Sequence, residues 1–408
     1  LSLEEEILAK VKPSAQEYIK LREAVNEVLG RLEDLRAEVH GSFAKDTWLS
    51  GNSDVDVFVF FSPQLGLKWL REDSLALLKE RLEDLPIRLE YADHPYLRVR
   101  VKDVWIDVVP AALVDEGSHP ITPVDRTRFH TEFINNNLTQ YQKDQVRLLK
   151  AFMKGIGVYG AEQRVRGFSG YLTELLIYHY STFHNLLSAA SDWGGKVIVD
   201  SPSREFPEPL VVPDPVDPKR NVAAAVSVKR LAEFVLAARA YIDSPSENFF
   251  FPQMVKDGIV KGDVFVIELT PTAIVPKEVL WGQINNAMSK IKKFLIQAGF
   301  RVVDVNAWGE VIIAVQLESK EIGKYKLQQG PPFYMRNDAS AFLQAHDAVW
   351  IGEDGRLQAI VERETDPFVI SRRALDFSFP YRVQFRWIKS GEDIWLAQFL
   401  RKRPSWLR

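Results

Sequence analysis

Gly41-Ser42-Phe43-Ala44-Lys45-Asp46-Thr47-Trp48-Leu49-Ser50-Gly51-Asn52-Ser53-Asp54-Val55-Asp56-Val57-Phe58 is the stretch on which the reading of this chain turns. Its second half becomes β-branched and aromatic over residues 55–61, the composition of a strand. The period of two along a strand puts Asp54 and Asp56 on one face, with Cα atoms about 6 to 7 Å apart. Two like charges beside an apolar strand are unfavourable without a cation, so the pair invites a hard divalent ion. A third ligand is expected from a neighbouring strand. Asp107 fits, as the lone acid within Val104-Trp105-Ile106-Asp107-Val108-Val109-Pro110, where an unpaired carboxylate is costly to bury. Three carboxylates on adjacent strands are what a two-metal phosphoryl-transfer site requires. Upstream, Gly41 lets the backbone approach phosphate oxygens closely, Ser42 adds a hydroxyl, and Lys45 supplies positive charge. An Asp-x-Asp alone is more often a strand end or turn, and a Gly-Ser pair alone is equally weak. The combination, with eleven residues between Ser42 and Asp54, reverses those odds.

Composition limits the remaining chemistry. A chain of 408 residues with 46% hydrophobic content implies two to four packed units. With no cysteine, disulfides, thiolate metal sites and cysteine nucleophiles are excluded, and any metal sits on oxygen or imidazole. The opening residues carry three consecutive glutamates, unlike a secretory signal, and no run reaches the length of a membrane span, so a cytoplasmic location is expected. The net charge of −3 gives no global attraction for nucleic acid, so RNA binding requires local segregation of charge. Such segregation is present: Arg372, Arg373, Arg382, Arg386, Lys389, Arg401, Lys402, Arg403 and Arg408 face only Asp376, Glu392 and Asp393. Phe377, Phe379, Tyr381, Phe385, Trp387 and Trp395 are interleaved, either as stacking surfaces for bases or as the core of a basic amphipathic unit.

The pattern along the chain implies an α+β multidomain protein. Residues 3–39 show helical spacing, and residues 55–61 and 87–109 alternate as strands around a helix at 67–82. Residues 131–193 read as two long helices separated near 155–167, and 228–241 as another; the proline-rich acidic segment 201–221 reads as a surface loop. After residue 256, a strand at 264–269, a helix at 277–297 and strands at 301–305 and 311–317 give a β-α-β-β order, ferredoxin-like or RRM-like but without the RNP aromatics. The expected domains are a catalytic head at 1–135, a helical middle at 136–255, a ferredoxin/RRM-like body at 256–320 and a basic α+β tail at 321–408.

The Gly-Ser, spacer, acid-x-acid and third-acid pattern resembles the polymerase-β-like nucleotidyltransferases. Several further segments are similar to the archaeal, class I tRNA CCA-adding enzymes: Tyr91-Ala92-Asp93-His94-Pro95-Tyr96, Val124-Asp125-Arg126-Thr127-Arg128-Phe129-His130, Val146-Arg147-Leu148-Leu149-Lys150, Gly157-Val158-Tyr159-Gly160-Ala161-Glu162, Val165-Arg166-Gly167-Phe168-Ser169-Gly170-Tyr171, and the run from Asp214-Pro215-Val216-Asp217-Pro218-Lys219-Arg220-Asn221 to Ala224. The match covers about residues 38–225. Two departures stand out: Lys45 replaces the arginine that other members often carry, and the C-terminal third is shorter than expected and matches poorly.

The resemblance implies a polymerase-β-like nucleotidyltransferase head and template-independent addition of C, C and A to the tRNA 3′ end from CTP and ATP. It implies that Asp54, Asp56 and Asp107 bind two Mg2+ ions, and that Asp107 helps deprotonate the tRNA 3′ hydroxyl, which attacks the α-phosphate in line and expels pyrophosphate. Gly41, Ser42, Lys45, His94, Thr127, His130, Lys150, Tyr159 and Arg220 would bind nucleotide, with Arg220 at the Watson–Crick edge. The C-terminal units would hold the acceptor and T-arm half of the tRNA through its backbone, in a possible homodimer with no membrane partner. The rival readings are a transferase adding one kind of nucleotide, a non-catalytic RNA-binding protein, and a small-molecule adenylyltransferase.

Overall fold

The computed structural model describes residues 2–52, 54–91, 94–115, 120–253, 258–309, 311–389 and 394–407, without the side chains of residues 394 and 395. Ser53, Ala92, Asp93, Glu392, Asp393, Arg408 and the side chain of Trp395, named above, therefore lie outside the described residues. Two compact units form, one of Leu1–Gln253 with Pro276–Glu278 and Pro404–Arg408, the other of Met254–Val275 and Val279–Arg403.

The first unit opens with helices α1 (Leu3–Val11) and α2 (Ala15–Arg31), each begun by a Ser/Glu capping box that satisfies two otherwise orphaned backbone donors. Helical spacing continues toward residue 39, but the chain turns extended at β1 (Arg36–His40) because it joins a sheet edge. The short helix α3 (Gly41–Ala44) leads through a loop to β2 (Asp54–Phe61), followed by helices α4 (Gly66–Arg71) and α5 (Asp73–Arg81). Strands β3 (Ile87–Tyr91), β4 (Pro95–Val101) and β5 (Val104–Ala112) complete a five-stranded sheet of order β1-β2-β5-β4-β3, in which β2 and β5 run parallel. Val55, Val57, Leu97, Val99, Ile106 and Val108 on one face pack against Leu21, Val25, Val28, Leu75 and Leu78 of α2 and α5. Alternation leaves Asp54, Asp56 and Asp107 on the other face, where Phe58, Phe60, Val109 and Ala111 form a smaller cluster.

Four helices occupy the region that reads as two: α6 (Thr127–Asn137), α7 (Gln140–Gly155), α8 (Gly170–Tyr180) and α9 (Phe183–Ser191). Thr139, with Gln142, caps α7, while Ser181 at φ 69 breaks the chain before Thr182 caps α9, so apolar periodicity runs on where the backbone does not. The segment 201–221 is not a simple surface loop. β6 (Val197–Ile198) pairs in parallel with β7 (Leu210–Val211), and Asp214, just beyond, has no exposed surface. Helix α10 (Val228–Asp243) closes the core of this part through Leu231, Phe234 and Ala238.

The second unit holds β8 (Asp263–Pro271), α11 (Lys277–Ala298), β9 (Val302–Trp308) and β10 (Ile312–Leu317), then a three-stranded sheet of β11 (Tyr325–Pro332), β12 (Val349–Ile351) and β13 (Arg356–Glu362) with helix α12 (Arg336–Ala345). Helix α13 (Pro367–Arg372), β14 (Tyr381–Ile388) and helix α14 (Ile394–Arg401) follow. β14 pairs with β8, giving the order β14-β8-β10-β9, so the larger sheet runs across residue 320 and takes its fourth strand from far along the chain. The interleaved aromatic residues from Phe377 to Trp387 belong to the core, whereas Phe333 and Tyr334 are exposed. Phe379 is buried, and Phe377, Tyr381, Phe385 and Trp387 pack with Phe265 and Ile267, while Arg372, Arg373, Arg382, Lys389 and Arg401 remain exposed. Among the described residues, no helix is long and apolar enough to cross a membrane.

Within the first unit one cation joins sheet to helices. Arg147 of α7 has no exposed side-chain surface; its Nε donates to Trp48 O at 3.0 Å, Nη1 to Asp144 at 2.7 Å, and Nη2 to Tyr18 Oη at 3.0 Å and to Asp46. Arg147→Met removes the buried cation shared by Asp46 and Asp144 and should cost about 3 kcal/mol in urea unfolding, at the low end for a broken buried pair because Asp144 keeps Lys12 and Asp46 keeps Tyr18 and Gln140. Arg301→Met, which removes a pair whose side chains are 82% and 57% exposed, should leave the unfolding midpoint unchanged.

Candidate active site

The parallel register of β2 and β5 sets Asp56 directly beside Asp107, and the antiparallel register of β1 sets His40 beside Asp56. The chain must therefore turn sharply after His40. Gly41 makes that turn at φ +70, and a Cβ there would stand 1.8 Å from Asp56 Oδ2, so only glycine allows the backbone to lie against this carboxylate. Arg98 of β4 pairs in register with Asp107 and reaches across the group: its Nη2 donates to Asp54 Oδ1 at 2.5 Å, and its Nε lies 3.8 Å from Asp107 Oδ1. Asp107 Oδ1 itself is buried without a hydrogen-bond partner.

Burial, with the neighbouring Asp54, pushes Asp56 up to about 6, with Lys45 and Arg98 opposing. Burial pushes Asp107 up to about 7, aided by Asp56 and Asp54 and opposed by Arg98. An all-oxygen cluster that resists full ionisation and holds an orphaned carboxylate oxygen suits a magnesium ion. Among the described residues no three such side chains already converge on one point, because Asp54 is turned to the Arg98 guanidinium.

A second group lies where the loop after α3 meets α7 and α8. Lys45 Nζ donates to Glu174 Oε2 at 2.5 Å and stands 5.5 Å from the Tyr171 ring centre. Lys150 Nζ donates to Thr47 O at 3.0 Å and Oγ1 at 3.1 Å and lies 3.6 Å from Glu174 Oε1, the oxygen that accepts from Thr47 Oγ1 at 2.5 Å. Burial pushes Lys150 down to about 8. Tyr159, in the turn between α7 and α8, is raised above the ordinary phenol range by burial and by the charges of Glu174, Glu162 and Asp56. Ser42 lies on α3, half-buried between this group and Gly41.

The third group is built on buried Asp214. Its Oδ2 accepts from Arg220 Nη1 at 3.0 Å and lies 2.9 Å from His130 Nε2; its Oδ1 accepts from Tyr171 Oη at 3.1 Å and from the Val216 amide at 3.0 Å. The His130 ring stacks on Tyr171 with centroids 4.0 Å apart. Thr127 is the first residue of α6, one turn before His130. Through Tyr171 and Lys45 the three groups are continuous. His94 stands apart: it is buried at the start of β4 with Arg71 and Asp125 as its charged neighbours, and the expectation that it meets nucleotide does not fit that placement.

Sequence reasoning missed Arg98 and Glu174, whereas a pairing of Arg220 with Asp214 or Asp217 is readable from their spacing and the structure shows the pair with Asp214. The alternation of β4 marks Arg98 as facing away from the core, and an acid amid Leu172, Leu175 and Leu176 marks Glu174 as needing a partner. No local signal names those partners.

Three family profiles match: a nucleotidyltransferase domain over residues 19–130, the second domain of tRNA nucleotidyltransferases over 144–251, and the C-terminal domain of CCA-adding enzymes over 262–371. A CCA-adding enzyme of Sulfurisphaera tokodaii is 45% identical over 414 residues, spanning 100% of both chains, and one of Saccharolobus shibatae is 45% identical over 412 residues, again with 100% of each covered. The C-terminal third is thus not short, and residues 262–371 of it match a family profile, correcting that expectation. A solved structure titled as CdnC of E. coli MS115-1 with ATP is 19% identical with a TM-score of 0.46, covering 59% of this chain and 92% of that one.

Gly41→Ala must displace either the Asp56 carboxylate or the backbone that carries it. A shift of about 1 Å in a reacting group costs roughly 100-fold, so nucleotide incorporation should fall by about that factor in single-turnover assays, with the fold retained by circular dichroism.

Proposed function

The chain belongs to the CCA-adding enzymes, and on that premise we propose which of its residues carry out the addition. The reaction appends C, C and A to the 3′ end of tRNA from CTP and ATP without a nucleic-acid template. Nucleotidyltransferases of this fold use magnesium and nucleoside triphosphates. The observation that carries the assignment of chemistry is the register that seats Asp56 beside Asp107 with the Gly41 backbone against them.

Two magnesium ions, held by Asp54, Asp56 and Asp107, would supply charge neutralisation at the phosphates and acidify the attacking hydroxyl. Asp107 Oδ1, buried without a hydrogen-bond partner, is the atom we assign to the proton of the tRNA 3′ hydroxyl. The deprotonated oxygen attacks the α-phosphate, the bond to the bridging oxygen breaks, and pyrophosphate leaves. Lys45, Lys150, Ser42 and Tyr159 hold the triphosphate, with the two ammonium groups neutralising the charge that gathers on the leaving pyrophosphate. Arg220, fixed through one nitrogen by Asp214, keeps its remaining donors for the Watson–Crick edge of the incoming base. His130 and Tyr171 hold Asp214 from the other side, and Thr127 starts the helix that presents His130.

For the tRNA, the exposed bases around β14 and α14 support backbone contacts rather than base stacking, because the aromatic side chains nearby are committed to the core. We assign these contacts to the acceptor and T-arm half of the tRNA. The four-part division into head, middle, body and tail, and a homodimer, belong to the same proposal.

The test supplies purified protein with magnesium and tRNA ending at the discriminator base, together with CTP, ATP or both. Two additions from CTP alone and a third only with ATP present are expected, all abolished in Asp54→Ala/Asp56→Ala. Asp107→Ala should abolish addition while tRNA binding by filter retention is unchanged; retained addition would overturn its role, and unlimited A-tailing by the wild type would favour a poly(A)-type activity.

A further inference from the structure

We propose that Glu174 is a positioning residue for the nucleotide triphosphate: one buried carboxylate holds the ammonium groups of Lys45 and Lys150 side by side. The proposal rests on the assignment of those lysines to the triphosphate and names what makes them competent to bind it.

Glu174 sits in the middle of α8 among the buried Leu172, Leu175, Leu176 and Ile177, with no exposed side-chain surface. A carboxylate there is a liability unless it is fully used, and it is: Lys45 occupies Oε2, while Thr47 Oγ1 and Lys150 share Oε1. Thr47 adds direction, since its carbonyl and hydroxyl oxygens take two of the Lys150 N–H bonds. Stability alone gives no reason for this arrangement, because apolar residues of similar volume commonly replace a buried ionic cluster without loss. The three side chains themselves carry two cations and one anion, and the nearest further acid, Asp56, belongs to the metal-binding face of the sheet. The group that completes it has to be an anion from outside, and its place beside Gly41-Ser42 and the acid-bearing sheet makes that anion the triphosphate.

The charges bearing on Lys150 agree with this role. Burial is the largest influence and holds its ammonium down at about 8; Glu174 is the group that pulls it back up, while Lys45 and Lys154 push it lower. Around them stand Lys143 and Lys154 of α7, both lowered by burial, the phenols of Tyr159 and Tyr171, both raised, and Asp56. Because the lysine pKa is depressed, the bound charge is present below about 8 and lost as pH rises through it. Without Glu174 that loss begins at lower pH.

The experiment follows kcat and KM for CTP between pH 7 and 9 with the full-length protein and tRNA ending at the discriminator base. Wild-type KM should rise above about pH 8. Glu174→Gln should raise KM about tenfold at pH 7.5, from the loss of the charge-assisted hydrogen bond to Lys45 and the ion pair with Lys150, with a much smaller change in kcat and with the rise in KM moved to lower pH. Glu174→Asp, which keeps the charge, should keep the wild-type midpoint. Lys150→Met should show a raised KM with no step at that midpoint, which separates Lys150 from Lys143 and Lys154. A folded Glu174→Gln protein with wild-type KM and midpoint, reduced only in thermal stability, would overturn the proposal. If Glu174→Gln does not fold, Glu174→Gln/Lys150→Met, which leaves a single ammonium, carries the test: a high KM without a step supports the proposal, and a step at the wild-type pH defeats it. Failure of the wild type to extend the tRNA would instead sink the functional reading; CTP binding measured by calorimetry across the same variants must then show the same order of affinities.

Discussion

The attachment of the loop at residues 45–48 to helices α7 and α8 is the contact on which everything else rests. Five side chains and two backbone oxygens carry it: Lys45 and Thr47 on Glu174, Lys150 on Thr47, and Arg147 on the Trp48 carbonyl. All of this is withdrawn from water, so each charge is costly alone and the set is worth keeping only when complete. The consequence is geometric. The three acids belong to a sheet made from residues 36–112, Lys150 and Glu174 to helices made from residues 127–180, and the loop that carries Lys45 and Thr47 joins the two into one site.

On the sheet side the constraint is repulsion. Asp54, Asp56 and Asp107 share one face because alternation and parallel register leave them no other, and Gly41 brings main chain, rather than a side chain, up to Asp56. Arg98 answers part of the charge, yet Asp107 keeps an unpaired oxygen and both inner acids stay reluctant to ionise. A cluster balanced in this way has a strong preference for a divalent cation, and its cost to folding is carried by the dense apolar packing on the opposite face of the same strands.

Much of this was legible in the sequence, and the remainder was not for physical reasons. Period-two alternation is local, so the shared face of Asp54 and Asp56 could be read directly, and Asp107 betrayed itself as an acid in an apolar run. Pairing is not local. Glu174 lies 129 residues from Lys45 and Asp214 lies 84 from His130, and neither carries a mark of its partner. Asp214 was further hidden by a proline-rich acidic context that looks solvent-facing, although the β6–β7 pairing draws it inside. The four helices of the middle region blurred into two because apolar spacing persists across Thr139 and Thr182, where caps, not composition, end the turns. The strand β14 was unreadable as part of the larger sheet for the same reason as the ion pairs: its partner β8 lies more than a hundred residues earlier.

The distribution of charge also orients the substrate. One end of the site carries three carboxylates relieved by a single guanidinium, and the other carries two ammonium groups relieved by a single carboxylate. A triphosphate bound in reverse would forgo direct neutralisation by the two ammonium groups and meet the acids only through a bound cation. Bound with its terminal phosphates on Lys45 and Lys150, it leaves the α-phosphate at the boundary between the two halves. That boundary is where Asp107 and Asp56 stand beside Gly41, so the polarity that binds the nucleotide also places its reacting phosphorus next to the groups that act on it.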